Sequence, residues 1–197
     1  PFERLDISKT DLRDIGVLDV TALEWLSIEN TKVINITVLS NAPLDYFVAA
    51  GTFIRNINPL TNENARLRTQ LDLTATFVRD LTPIQGKQMP HLNLTKCRMS
   101  DLSALEGMPL RYLNLREVLV SDIEPLRDMP FETLILADTR ITDIDALDNQ
   151  LSMKSLDLSG TKVTDLEPLL GAPLNELNLA RTAIGVDQLV HLQRIPL

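Results

Sequence analysis

The residues best suited to acid–base, nucleophilic or metal chemistry are two histidines and one cysteine. His91 and His191 lie 100 residues apart in the chain and share no motif. No G-x-x-x-x-G-K-[ST], G-x-G-x-x-G or H-E-x-x-H string occurs, so the usual phosphate, dinucleotide and zinc signatures are missing. A lone cysteine, Cys97, rules out an internal disulfide framework and a thiolate-cluster zinc site. Asp14, Asp80, Asp101, Asp122, Asp143 and Asp165 recur on a common step, but no second set of ligands converges on them as calcium would require. No enzyme chemistry, metal or cofactor is expected. What stands out is recognition chemistry: Trp25, Tyr46, Gln70, His91 and Tyr112 follow one another at steps of 21, 24, 21 and 21 residues. That lane holds the only Trp and both Tyr. Exposed Trp and Tyr are typical interface anchors.

Composition supports the same division. Of 197 residues, 44% are hydrophobic and 23% charged, which suits a folded chain and not a disordered one. The formal net charge of −8 argues against general nucleic-acid or anionic-membrane binding, although a local basic patch is compatible with it. No apolar run approaches a membrane span.

Steps near 21 residues imply an internal repeat. Taking Met153 to Pro173 as reference, the pattern is L-x-x-L-x-L-x-x-T-x-V-x-D-L-x-P-L-x-x-x-P. Its first place falls at Phe2, Leu23, Leu44, Arg68, Met89, Leu110, Phe131, Met153 and Leu174, giving nine copies. Places four, six, eleven, fourteen and seventeen are apolar almost throughout, with Asp187 in the last copy as an exception. The L-x-L alternation reads as a strand with one buried face. One such strand cannot bury its face alone, so successive coils must stack into a parallel sheet. The short period leaves no room for a full helix on the return path, and 3₁₀ or extended segments are expected there.

The pattern resembles the leucine-rich repeat family, whose strand signature is L-x-x-L-x-L-x-x-N/C/T-x-L, and its short period with D-L-x-P-L is similar to bacterial arrays of the internalin kind. The resemblance covers essentially the whole chain. It implies a right-handed α/β solenoid, curved, with a parallel β-sheet on the concave face and a 3₁₀ or extended convex side. Similar arrays also accompany bacterial kinase domains. Nothing in the residues assigns a location; the resemblance leans toward secretion or the cell surface.

Each polar column then has an expected task. Thr10, Thr31, Thr52, Thr76, Thr139, Thr161 and Thr182 share place nine with Cys97 and Val118. In the family this column is a buried ladder bonded to the backbone of neighbouring turns, so Val118 should interrupt it. The Asp column, continued by Asn35 and Asn56, is expected to cap the convex turns as N-caps. Pro59, Pro83, Pro125 and Pro168 at place sixteen suit turns. The segment TNENARLRTQ, Thr61 to Gln70, carries a three-residue insertion that should bulge, with Arg68 at a normally apolar place. Asp148–Leu151 carries a single extra residue, and Asp187 to Arg194 looks like a short helix. Ser159 and Gly160 are read as small residues with no special role.

Places three and five point outward on the concave face. The candidate partner-binding set is Trp25, Tyr46, Gln70, His91 and Tyr112 from the first lane, with Asp72, Asn93 and Asn114 from the second. A secondary candidate is Phe53, Phe77 and Leu119 at place ten on the edge. Asn35-Ile-Thr37 and Asn93-Leu-Thr95 match the glycosylation triplet, a pattern that chance often produces. Residues 1–197 are expected to form one domain of nine repeats. The chain begins and ends at the same phase of the cycle, which suggests a fragment of a longer protein. The expected function is recognition of a protein or peptide, with no nucleic acid and no membrane insertion. The alternative is a recognition or regulatory segment of a larger bacterial enzyme such as a serine/threonine kinase. A purely structural spacer is a third reading. The partner's identity and the oligomeric state are not set by the residues.

Overall fold

A computed structural model describes residues 1–192. Nine three-residue strands, Arg4–Asp6, Trp25–Ser27, Tyr46–Val48, Gln70–Asp72, His91–Asn93, Tyr112–Asn114, Thr133–Ile135, Ser155–Asp157 and Glu176–Asn178 (β1 to β9), form one sheet in chain order. Every neighbouring pair is parallel. The result is a curved, open leucine-rich-repeat solenoid with the sheet on its concave side. Leu26, Phe47, Leu71, Leu92, Leu113 and Leu134 point inward from the strand centres and are fully buried. The equivalents in the first and last strands, Leu5 and Leu177, are half-buried.

The return path is short, as the period requires. Eight 3₁₀ turns lie on it among the described residues, the first at Thr37–Asn41 and the last at Val186–Gln188. Pro59, Pro83, Pro125 and Pro168 sit at the start of four of them, where a missing N–H removes no helical bond. After the last turn one helical turn, Leu189–Leu192, ends the described chain. Of the short helix expected to Arg194, Gln193 and Arg194 lie outside the described residues.

Three expectations need correction. The Asp and Asn column does hold the convex turns, but from one residue before the cap position. Asp80 Oδ1 accepts the N–H of Thr82 at 2.9 Å, and Asp101 Oδ1 that of Ser103 at 2.8 Å. The residue at the cap itself is the buried apolar one, Leu81 or Leu102, which has no side-chain acceptor. These are Asx turns, an i to i+2 bond that a short side chain reaches without entering the helix.

The threonine hydroxyls do not bond to the backbone of neighbouring coils. Each hydroxyl donates to the place-six carbonyl three residues back in its own coil: Thr31 to Ile28 at 2.8 Å, Thr76 to Leu73 at 2.7 Å, Thr161 to Leu158 at 2.6 Å. The strand exit bends sharply there, bringing that carbonyl within reach. Cys97 crosses coils, its thiol 3.0 Å from the Leu73 carbonyl and 3.6 Å from the Thr76 hydroxyl of the preceding coil. Burial pushes the Cys97 thiol up, which keeps it protonated and inert. Val118 is fully buried and its backbone N–H still reaches the Leu115 carbonyl at 3.0 Å, so it leaves no gap in an inter-coil chain.

The insertion moves the core residue. Leu67, not Arg68, fills the place-one slot, fully buried, with its N–H on the Leu44 carbonyl of the preceding coil at 2.8 Å. The bulge lies between the Asn58–Thr61 turn and β4. Lys87 of the next coil clamps it, its Nζ donating to the carbonyls of Asn62 and Ala65, each at 2.7 Å. Burial lowers the Lys87 pKa, and Glu63 acts against that shift.

Candidate functional site

The sheet register brings the first lane together. Arg4, Trp25, Tyr46, Gln70, His91, Tyr112, Thr133, Ser155 and Glu176 are direct cross-strand partners. Neighbouring side chains in such a ladder stand about 4.8 Å apart, close enough for aromatic stacking. Trp25 and Tyr46 stack with centroids 4.8 Å apart and planes 11° from parallel. The Arg4 guanidinium lies over the Trp25 ring at 3.8 Å. Both faces of the indole are therefore covered from within the chain.

Gln70 separates this stack from a second pair. His91 and Tyr112 meet edge to face, with centroids 6.0 Å apart and planes 77° apart. Gln70, His91, Leu92, Asn93 and Tyr112 line an open depression of about 210 Å³ on the sheet. Four of the eight candidate residues thus meet at one place: Gln70, His91, Asn93 and Tyr112.

The second lane is different from what its outward direction suggests. Asp72 Oδ1 accepts the N–H of Thr74 at 2.8 Å, Asn93 Oδ1 that of Thr95 at 3.1 Å, and Asn114 Oδ1 that of Arg116 at 3.0 Å. Asp6, Asp157 and Asn178 make the same i to i+2 bond. These side chains close the strand exits, which occupies one oxygen of each. Asn93 also donates its amide to Asp72 Oδ2 at 3.2 Å, and the Asn114 amide faces the Tyr112 hydroxyl at 3.4 Å. Asp or Asn in six of nine copies of place five was the sequence signal for this task.

Beyond Tyr112 the face becomes ionic. Asp138 sits between Arg116, at 3.2 Å, and Arg181, at 2.9 Å. Arg116 also faces Asp157 at 3.9 Å. Gly160 makes this crossing possible. It has a φ of +70°, and a Cβ there would collide with Asp138 Oδ1 and crowd Arg181. The expectation that Gly160 has no special role is therefore corrected. It belongs to a column sequence reasoning missed: Lys9, Asn30, Gly51, Ala75, Lys96, Glu117, Asp138, Gly160 and Arg181 all have positive φ. The left-handed bend turns each strand out of the sheet.

Among the described residues no group of three or more His, Cys, Asp or Glu is placed to hold a metal ion. No described helix is long and apolar enough to cross a membrane.

Comparison with known proteins agrees with the geometry. No family model matches the sequence, and no curated protein matches it. Among solved structures, an internalin from Listeria monocytogenes superposes with a TM-score of 0.81 at 25% identity, over 93% of this chain and 56% of that one. Internalin C2 from the same organism gives a TM-score of 0.59 at 22% identity, over 90% of this chain and 70% of that one. A leucine-rich repeat protein of Leptospira interrogans gives 0.64 at 17% identity, over 89% of this chain and 54% of that one. This chain therefore spans little more than half of the first of them. With its nine-strand parallel sheet, its short 3₁₀ returns and these structural neighbours, the chain has the leucine-rich-repeat solenoid fold and is similar in it to the internalins.

Proposed function

We propose that this chain is a recognition module that holds a protein or peptide on its concave sheet, around Tyr46, Gln70, His91 and Tyr112. The observation that carries the reading is the depression between Gln70, His91 and Tyr112, lined by aromatic and amide groups that the sheet register holds in place. A preorganised face orders few side chains on binding, which favours affinity without large buried area. Trp25 and Tyr46 add an apolar edge beside it, braced by Arg4. Asp72, Asn93 and Asn114 contribute their unspent oxygens and amides while keeping the strand exits closed. The kinase-segment alternative gains no support, since the neighbours named above are internalins and a leucine-rich repeat protein.

The test is triple substitution of Trp25, Tyr46 and Tyr112 to Ala, with folding checked by circular dichroism. Truncating an interface anchor typically costs more than about 1 kcal/mol. The three together should weaken capture of a concave-face partner by at least about a hundredfold, since each 1.4 kcal/mol is tenfold. Unchanged capture by a folded triple variant would sink the proposal.

A further inference from the structure

The edge of the solenoid carries a second surface of different chemistry. Places ten and twelve flank the buried place eleven and face sideways, between sheet and convex turns. Across nine copies these eighteen positions hold seven Lys or Arg and one acid, Asp11, in a chain whose net charge is −8. Asp11 is already paired with Lys32 at 2.6 Å.

The cations concentrate around a pair of aromatic rings. Phe53 and Phe77 lie parallel within 13°, with centroids 6.1 Å apart, and Phe53 is 48% exposed. The guanidinium carbons of Arg55 and Arg98 lie 5.1 and 5.4 Å from the Phe77 centroid. Among the described residues Arg55, Arg79 and Arg98 have no carboxylate within 4.0 Å. Their charge is uncompensated, and no ion pair fixes them.

The neighbouring column carries an independent sign of the same preference. The Asx-turn residue is Asp in six copies, but Asn35 and Asn56 replace it beside this patch. They hold the same backbone N–H groups, at 2.8 and 2.6 Å, so the turn itself does not demand the change. The amides remove negative charge beside Lys32 and Arg55, while the coils of Arg79 and Arg98 keep Asp80 and Asp101. A depression of about 470 Å³ next to Arg55, lined by Asn35, Thr37, Ser40, Asn56 and Asn58 among others, contains no acid. The comparable one further along, of about 520 Å³, is lined by Asp145, Asp148, Asp165 and Glu167.

We propose that the lateral patch of Lys32, Phe53, Arg55, Phe77, Arg79 and Arg98, with the acid-free depression that Arg55 lines, binds an acidic peptide segment carrying an aromatic side chain. Side-chain carboxylates meet the free guanidiniums, a pairing that is bidentate and charge-assisted. The aromatic side chain stacks on the exposed Phe53 ring. Charge complementarity decides the class of occupant. A short acidic segment neutralises the patch alone, whereas a longer nucleic-acid strand carries its charge past the patch over the rest of a chain of net charge −8.

The probe is a fluorescently labelled random copolymer of Glu and Tyr, with poly-Glu and oligo-dT as comparisons, read by anisotropy. The expected result is saturable binding of the Glu–Tyr copolymer that weakens with salt. It should fall by about tenfold or more in Arg55→Gln/Arg98→Gln, the change expected for losing about 1.4 kcal/mol of anchor energy. Phe53→Ala should lower it separately, and Trp25→Ala/Tyr46→Ala/Tyr112→Ala should leave it unchanged. That last arm separates this surface from the concave one. Equal binding of poly-Glu, tighter binding of oligo-dT, no binding of the copolymer, or an unchanged affinity in the folded Arg55→Gln/Arg98→Gln variant would each overturn the proposal. Sedimentation closes the remaining route: a dimer that Arg55→Gln/Arg98→Gln dissociates would assign the patch to a second copy and refute the peptide.

Discussion

The threonine column can be tested as a set of independent bonds. Thr139 and Thr161 occupy adjacent interior coils, each fixed to its own place-six carbonyl, Leu136 at 2.7 Å and Leu158 at 2.6 Å. The same carbonyls also accept the backbone N–H of these threonines, at 3.3 and 3.2 Å. Thr→Val keeps the shape and removes one bond. The carbonyl retains a partner, so no buried acceptor is orphaned, and the loss should stay near the usual net value of about 1 kcal/mol each. Because neither hydroxyl touches the other coil's backbone, Thr139→Val/Thr161→Val should be additive to within about 0.5 kcal/mol. Urea unfolding of wild type, both single variants and the double variant gives the coupling directly, with unchanged m-values as the condition for comparison. A coupling energy well above about 0.5 kcal/mol would show that the hydroxyls act through a shared inter-coil network, and the in-coil account would be wrong.

Two further outcomes follow from the turns. Acid should unfold the protein partly through its Asx turns: Thr82 holds the Asp80 carboxyl below its ordinary value by hydroxyl and N–H, and Ser103 does so for Asp101 by N–H and hydroxyl. The unfolded chain takes up these protons first, so the contribution is full above about pH 3.8 and is lost as pH falls through the lower folded values. Asp145 runs the other way, since Asp143 raises it. Asp80→Asn/Asp101→Asn keeps the turn acceptors, as Asn35 and Asn56 show, and should flatten Tm against pH below 4 relative to wild type; an identical acid profile would disprove the assignment. Gly160→Ala should destabilise by roughly 1–3 kcal/mol, combining left-handed strain with displacement of Asp138. Gly86→Ala has the same sign of φ but nothing within 4 Å, so it measures the strain alone; equal losses in urea for both would rule out the collision.

The repeat made the fold and the lanes legible because one coil's pattern is checked against eight others. Trp25, Tyr46, Gln70, His91 and Tyr112 could be placed side by side from their steps alone, since cross-strand pairing follows from the period. What the steps could not show was direction. A threonine hydroxyl reaches either its own coil or the next, and only the bend after the strand decides. Lys9, Ala75, Glu117 and Arg181 adopt left-handed φ although their types do not advertise it, because the stacked coils impose the bend on every copy. Leu67 displaced Arg68 because an insertion breaks the numbering locally while burial still selects the apolar side chain. The cations around Phe77 come from two different coils and two different places, so no single column revealed them.

The stacking distance has a consequence for any extended ligand. Coils repeat about every 4.8 Å, whereas an extended peptide advances about 3.4 Å per residue and presents one face about every 6.8 Å. Laid along the solenoid, the two rulers form a vernier. They return to phase only after about seven coils against ten residues, roughly 34 Å. The span from Trp25 to Tyr112 is four steps, so an extended ligand following the lane seats very few side chains in identical fashion. An extended ligand on nine near-copies of one coil would thus be read unevenly, and a change of one residue in its spacing would be felt at particular coils rather than shared among all.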